Sequence, residues 1–121
     1  MKTYLVGFSY HYPEDLKRWR EGTMEDFEAS TGIFIAAPTG REAIRWGGTV
    51  ARGLHAQENP EDPDSWDKHS HRCWIEEDPD ASGWKHCFSF FQRVKHGEMP
   101  DLEEMNVVAY ARWQRSARNE S

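Results

Sequence analysis

The densest group of chemically capable side chains is His69-Ser70-His71-Arg72-Cys73, followed at a distance by His86-Cys87. In an extended chain side chains alternate, so His69, His71 and Cys73 would project from one face. Imidazole and thiolate are the donors that Zn²⁺ prefers. A return strand over residues 84–91 would bring Cys87 or His86 beside them, completing a four-ligand zinc site from His69, His71, Cys73 and Cys87. The spacing is not one of the common zinc patterns, which use ligand pairs two to four residues apart. The plainer reading makes Cys73 and Cys87 small core residues, with the imidazoles at the sheet edge.

The same residues offer a thiol nucleophile beside a base. His86 and Cys87 are adjacent, which on a strand sends them to opposite faces, so Cys73 with His71 is the better pair. Neither has a helix N-terminus or basic cluster nearby to lower a thiol pKa. His11 lies between Tyr10 and Tyr12 at the end of the first expected strand, where an exposed imidazole is the ordinary outcome. Asp62-Pro63-Asp64-Ser65-Trp66-Asp67 has the look of a calcium loop but lacks the central glycine, and Cys73 stands where the closing glutamate belongs. The glycine-rich phosphate loops and the GxSxG nucleophile elbow are absent.

A different use is open to Trp66. It lies in a proline- and acid-rich segment, residues 57–68, with Asp62, Asp64 and Asp67 around it and Pro60 and Pro63 stiffening the chain. Tryptophan is a typical anchor of protein interfaces. An exposed Trp66 ringed by Asp62, Asp64 and Asp67 would suit contact with a basic protein. Alternatively the ring folds back as a lid over the preceding helix, because large exposed rings are usually avoided.

The elements that must position these groups follow from patterning. Tyr4, Val6, Phe8 and Tyr10 alternate along a first strand, residues 4–10. Pro13 then opens a short helix over residues 14–21, with Leu16 and Trp19 inward. Gly32-Ile33-Phe34-Ile35-Ala36-Ala37 is apolar on both faces, as a covered central strand would be. Thr39-Gly40-Arg41-Glu42 matches a capping box, opening a helix that runs to about residue 55 with Ile44, Gly47, Val50, Ala51 and Leu54 inward. The glycines at 47, 48 and 53 weaken that helix and point to close packing on a sheet. Residues 71–77 alternate as a strand, and Asp78-Pro79-Asp80-Ala81-Ser82-Gly83 turns into its hairpin partner at 84–91. A last helix opens at Pro100, with Leu102, Met105, Ala109 and Trp113 inward and Arg112, Arg115 and Arg118 at its C-terminal end.

The expected fold is one α+β domain over residues 1–121. It has about four mostly antiparallel strands and two longer helices on one face, with a ferredoxin-like arrangement as one candidate. Ile33, Phe34, Ile35, Ile44, Val50, Leu54, Leu102 and Met105 are the expected core. At 121 residues the chain needs neither disulfide nor metal to fold. The six Trp, six Phe and four Tyr argue against disorder. A net charge of −6 makes nucleic acid a poor partner. No apolar run is long enough to cross a bilayer, and the first residues do not form a signal peptide. Two cysteines without a secretion signal point to free thiols and a cytoplasmic location. With no catalytic motif, the first functional reading is a non-catalytic protein-interaction or regulatory module. Its rivals are a metal-binding protein on the His/Cys ladder and a small-ligand binder with an aromatic-lined cavity.

Overall fold

The computed structural model describes residues 1–10, 29–61, 66 and 72–119. A first strand, β1 (Lys2–Tyr10), pairs along its whole length with β2 (Ala29–Ala37), antiparallel, with Gly7 opposite Gly32. Helix α1 (Gly40–Glu58) follows, then the short strand β3 (Cys73–Ile75), antiparallel to β1. Next come one helical turn, α2 (Pro79–Ser82), and a 3₁₀ turn (Trp84–Cys87). Strand β4 (Arg93–Lys95) pairs in parallel with β2. A second 3₁₀ turn (Leu102–Glu104) leads into α3 (Val107–Asn119). The sheet order is β3-β1-β2-β4.

The fold is therefore α+β, but its four-stranded sheet is mixed rather than mostly antiparallel. A ferredoxin-like arrangement is built on βαβ units, whose strands run parallel across a helical crossover. Here β1 and β2 are direct antiparallel neighbours. Nor do the two longer helices share a face, because the alternation of the central strands creates two cores. Val6 and Phe8 of β1 with Ile33, Ile35 and Ala37 of β2 meet Ala43, Val50, Ala51 and Leu54 of α1. On the opposite face Leu5 and Phe34 pack with Trp84, Cys87, Phe88 and Phe91, and Tyr110 of α3 joins that second cluster.

Helix α1 starts where the capping residues place it. The Thr39 hydroxyl accepts a hydrogen bond from the Glu42 N–H at 3.2 Å. Its buried stripe runs through Ala43, Gly47, Val50, Ala51 and Leu54, while Ile44 is exposed. Gly47 sets that rotation: a Cβ there would lie 2.5 Å from Val6 Cγ1 and 3.0 Å from Cys73 Sγ. Of the other expected core residues, Ile33, Ile35 and Met105 are buried, and Phe34 and Leu102 are half-buried. No described helix is long and apolar enough to cross a membrane. The helix expected at residues 14–21 lies outside the described residues.

Candidate functional site

Residues 84–91 do not return as a strand. Asp78 caps α2 by accepting from the Ala81 N–H at 3.2 Å, Pro79 opens the turn, and Gly83 ends it at φ 77°. That positive φ suits glycine and starts the next turn in a new direction. Trp84, Cys87, Phe88 and Phe91 then recur at the i, i+3, i+4, i+7 spacing of a helical face, and the chain coils accordingly. Their rings lie against the second face of the sheet. Trp84 meets Phe91 edge-on at 5.3 Å and tilts against Trp74 at 5.9 Å. Phe34 packs edge-on to Phe88 at 5.4 Å and to Phe91 at 6.3 Å.

The opposite wall comes from the start of α3. Gln92 ties the chain ahead of β4 to the second 3₁₀ turn: its amide donates to the Asp101 carbonyl at 2.8 Å and accepts from the Asp101 N–H at 3.0 Å. Asn106 then opens α3, its side-chain oxygen accepting from the Ala109 N–H at 2.9 Å. The helix so placed stacks Tyr110 and Trp113 at 5.6 Å and brings both against Phe90. The Tyr110 hydroxyl lies 3.6 Å from Cys87 Sγ and accepts from the Gln114 amide at 3.1 Å. Burial, and secondarily the contact with Cys87, raise the Tyr110 pKa, so the hydroxyl stays protonated and neutral at physiological pH.

Between these walls lies a cavity of about 290 Å³. Trp84, Cys87, Phe90, Phe91, Met105 and Tyr110 form its apolar lining, and the polar residues Ser30, Thr31, Ser82, His86 and Asn106 complete it. Among the described residues no Asp, Glu, Lys or Arg lines it. The chemistry on offer is ring stacking and hydrogen bonding by hydroxyl, amide and imidazole groups.

The structure separates the residues of the sequence-derived zinc site. Cys73 faces α1: its thiol donates to the Ile44 carbonyl at 3.6 Å and sits among the first core. Burial pushes its pKa up to about 11, against a smaller lowering by Arg52. Cys87 belongs to the second core. The sheet stands between the two thiols, so one metal ion cannot bind both, and both are free. His69 and His71 lie outside the described residues, as do His11 and Tyr12. Among the described residues no three His, Cys, Asp or Glu side chains gather as a metal site.

Trp66 is only 6% exposed. Its indole N–H donates to the Ser9 carbonyl at 2.9 Å, and the Arg52 guanidinium lies 5.2 Å from its ring centroid. The ring thus folds back onto α1 and the end of β1, the lid arrangement, and does not present itself to solvent. Asp62, Asp64 and Asp67 lie outside the described residues.

Sequence reasoning missed the cavity residues as a group. The signal was the helical spacing of Trp84, Cys87, Phe88 and Phe91, together with two glycines on the strands beneath them. No family model, curated protein or solved structure matches this chain.

Proposed function

We propose that this chain is a binding protein that takes a small, uncharged, ring-bearing group into the cavity between Trp84 and Tyr110. The observation that carries the reading is the lining: rings on several sides, a few polar groups, and, among the described residues, no carboxylate, ammonium or guanidinium. Ligand sites are mostly apolar concavities with a few placed polar atoms, and this one has that composition. Stacking on Trp84 and Phe91 supplies affinity. An anion or cation would lose its hydration with no countercharge among the described lining residues to replace it.

A contact role for residues 57–68 with a basic protein partner rests on their acidity alone, since Trp66 is turned inward. The aromatic cavity is therefore the better-supported reading.

The test uses two probes that carry rings without charge, indole and ethylbenzene, against benzoate and benzylamine. In a ¹⁵N-labelled sample the neutral rings are expected to shift the Trp84 indole signal and the backbone signals of Phe91 and Tyr110. The charged rings are expected to leave them in place at the same concentration. If none of these signals moves with millimolar indole or ethylbenzene, the reading fails.

A further inference from the structure

The α3 side of the cavity carries more hydrogen-bond donors than the described residues use. Asn106 and Tyr110 both line the cavity, and the Tyr110 N–H donates to the Asn106 carbonyl at 3.0 Å, so the two stand one helical turn apart on one face. The Asn106 side-chain oxygen is spent on the cap, accepting from the Ala109 N–H, which leaves its amide N–H groups. Among the described residues these meet no acceptor. The Tyr110 hydroxyl has one proton and two lone pairs. One lone pair takes the Gln114 amide N–H, and Cys87 Sγ lies 3.6 Å away. A thiol and a phenol in contact make one hydrogen bond but bring two protons to it. One proton is left over, and Cys87 lines the cavity as well. Sulfur is a weak acceptor, so an oxygen acceptor in the cavity draws the O–H, while the S–H turns to the phenol oxygen.

Resting on the cavity as a binding site, we infer that its ligand is a small, neutral aromatic carbonyl compound. Its ring packs against Trp84 and Phe91, and its carbonyl oxygen accepts from the Tyr110 hydroxyl and the Asn106 amide. Three features favour this occupant. First, a carbonyl oxygen has two lone pairs and takes both donors, whereas a hydrocarbon ring would strip them of water and leave them unpaired. Second, a carbonyl brings no hydrogen that needs an acceptor. The Asn106 oxygen is already engaged, and the Ser82 hydroxyl already donates to the Pro79 carbonyl at 3.2 Å. Third, the cavity's 290 Å³ lies at the lower end of the roughly 300–1,000 Å³ common for ligand pockets, enough for a single ring with a short substituent. A carboxylate could use the same donors, but no ammonium or guanidinium stands among the described lining residues to offset its lost hydration.

The experiment titrates the ¹⁵N-labelled full chain with acetophenone and, separately, with ethylbenzene, which has the same carbon skeleton and no oxygen. The Trp84 indole signal reports binding of both. In Tyr110→Phe the ring stays and the donor goes. Acetophenone is expected to bind about two- to tenfold more weakly, the worth of one hydrogen bond, and ethylbenzene as before. Asn106→Asp keeps an oxygen to cap α3 and replaces the N–H donors with a further acceptor. It should weaken acetophenone at least as much and leave ethylbenzene unchanged. Retained ethylbenzene binding shows in each variant that the cavity is still folded. A selective loss of acetophenone in either variant supports the carbonyl assignment. If neither variant weakens acetophenone more than ethylbenzene, the carbonyl inference is overturned while the cavity reading stands. If ethylbenzene and indole leave the Trp84, Phe91 and Tyr110 signals of the wild type unmoved, the cavity reading falls and the carbonyl inference with it.

Discussion

Gly7 and Gly32 face one another across the central strand pair, and the indole of Trp84 lies over both of them. A Cβ on Gly7 would come within 2.6 Å of Trp84 and 2.8 Å of Trp74, whereas on Gly32 the nearest ring atom would be 3.0 Å away. The missing side chains form the bed on which the cavity's main ring rests. Gly7→Ala should therefore destabilise the chain by about 1–3 kcal/mol through overpacking, and Gly32→Ala by less. At roughly 4 °C per kcal/mol for a chain of this length, Gly7→Ala should lower Tm by about 4–12 °C. Calorimetry of the two variants checks the order; a Gly7→Ala protein as stable as the parent would mean that Trp84 does not lie against the sheet.

Neighbouring glycines in α1 should respond in opposite directions. Alanine gains up to about 1 kcal/mol over glycine inside a helix. At position 48 the nearest obstacle is the end of the Arg52 side chain at 3.5 Å, so Gly48→Ala should be stabilising by about 0.5–1 kcal/mol. At position 47 the new methyl would lie 2.5 Å from buried Val6, and an overpacking cost of about 1–3 kcal/mol outweighs the helical gain. Urea midpoints of the two variants should fall on either side of the parent. A stabilised Gly47→Ala would contradict the close approach of α1 to β1.

The Cys73 thiol should be inert at neutral pH. With its pKa at about 11 rather than the ordinary 9.0, the thiolate is a fraction on the order of 0.1% at pH 8. Alkylation by iodoacetamide should be at least about a hundredfold slower than for a free cysteine, since only the thiolate attacks. Folding favours the protonated form here, so the stabilisation is complete below the ordinary thiol pKa. It is lost as pH rises from about 9 through about 11. Comparing wild type with Cys73→Ala in urea at pH 8 and pH 10.5 isolates this group. Equal losses in both proteins would rule it out.

The sequence showed most where the determinants are local. The alternation of Tyr4, Val6 and Phe8 marks β1, and Thr39 with Glu42 marks the start of α1; both stand where the pattern places them. The second face was hidden because Trp and Phe are strand formers as well as core residues, so residues 84–91 read as a strand. The competing signal was their three- and four-residue spacing, which wins because the glycine at 83 has already turned the chain. Ile44 reads as inward by helical periodicity, but the rotation of α1 is settled by Gly47 meeting Val6, a contact between distant segments. The cavity required Tyr110 to meet Cys87, 23 residues apart, and no local pattern encodes that pairing.

Trp66 illustrates the same limit, and its energetics can be measured. Its hydrogen-bond partner, Ser9, is 57 residues away, so composition alone left the ring without a visible cover. Covered as it is, Trp66→Ala removes a buried ring and should destabilise the protein by about 3–5 kcal/mol. It should lower Tm by roughly 12–20 °C at the same conversion. Trp66→Phe keeps most of the apolar burial but cannot donate to the Ser9 carbonyl. It should lose about 1–3 kcal/mol, the cost of leaving a buried acceptor without its donor. The order wild type, then Phe, then Ala separates a ring held by packing and a hydrogen bond from one that merely rests on the surface. If Trp66→Ala melts within a degree or two of wild type, the ring is not part of the first core, and the exposed-contact role for residues 57–68 regains its motive.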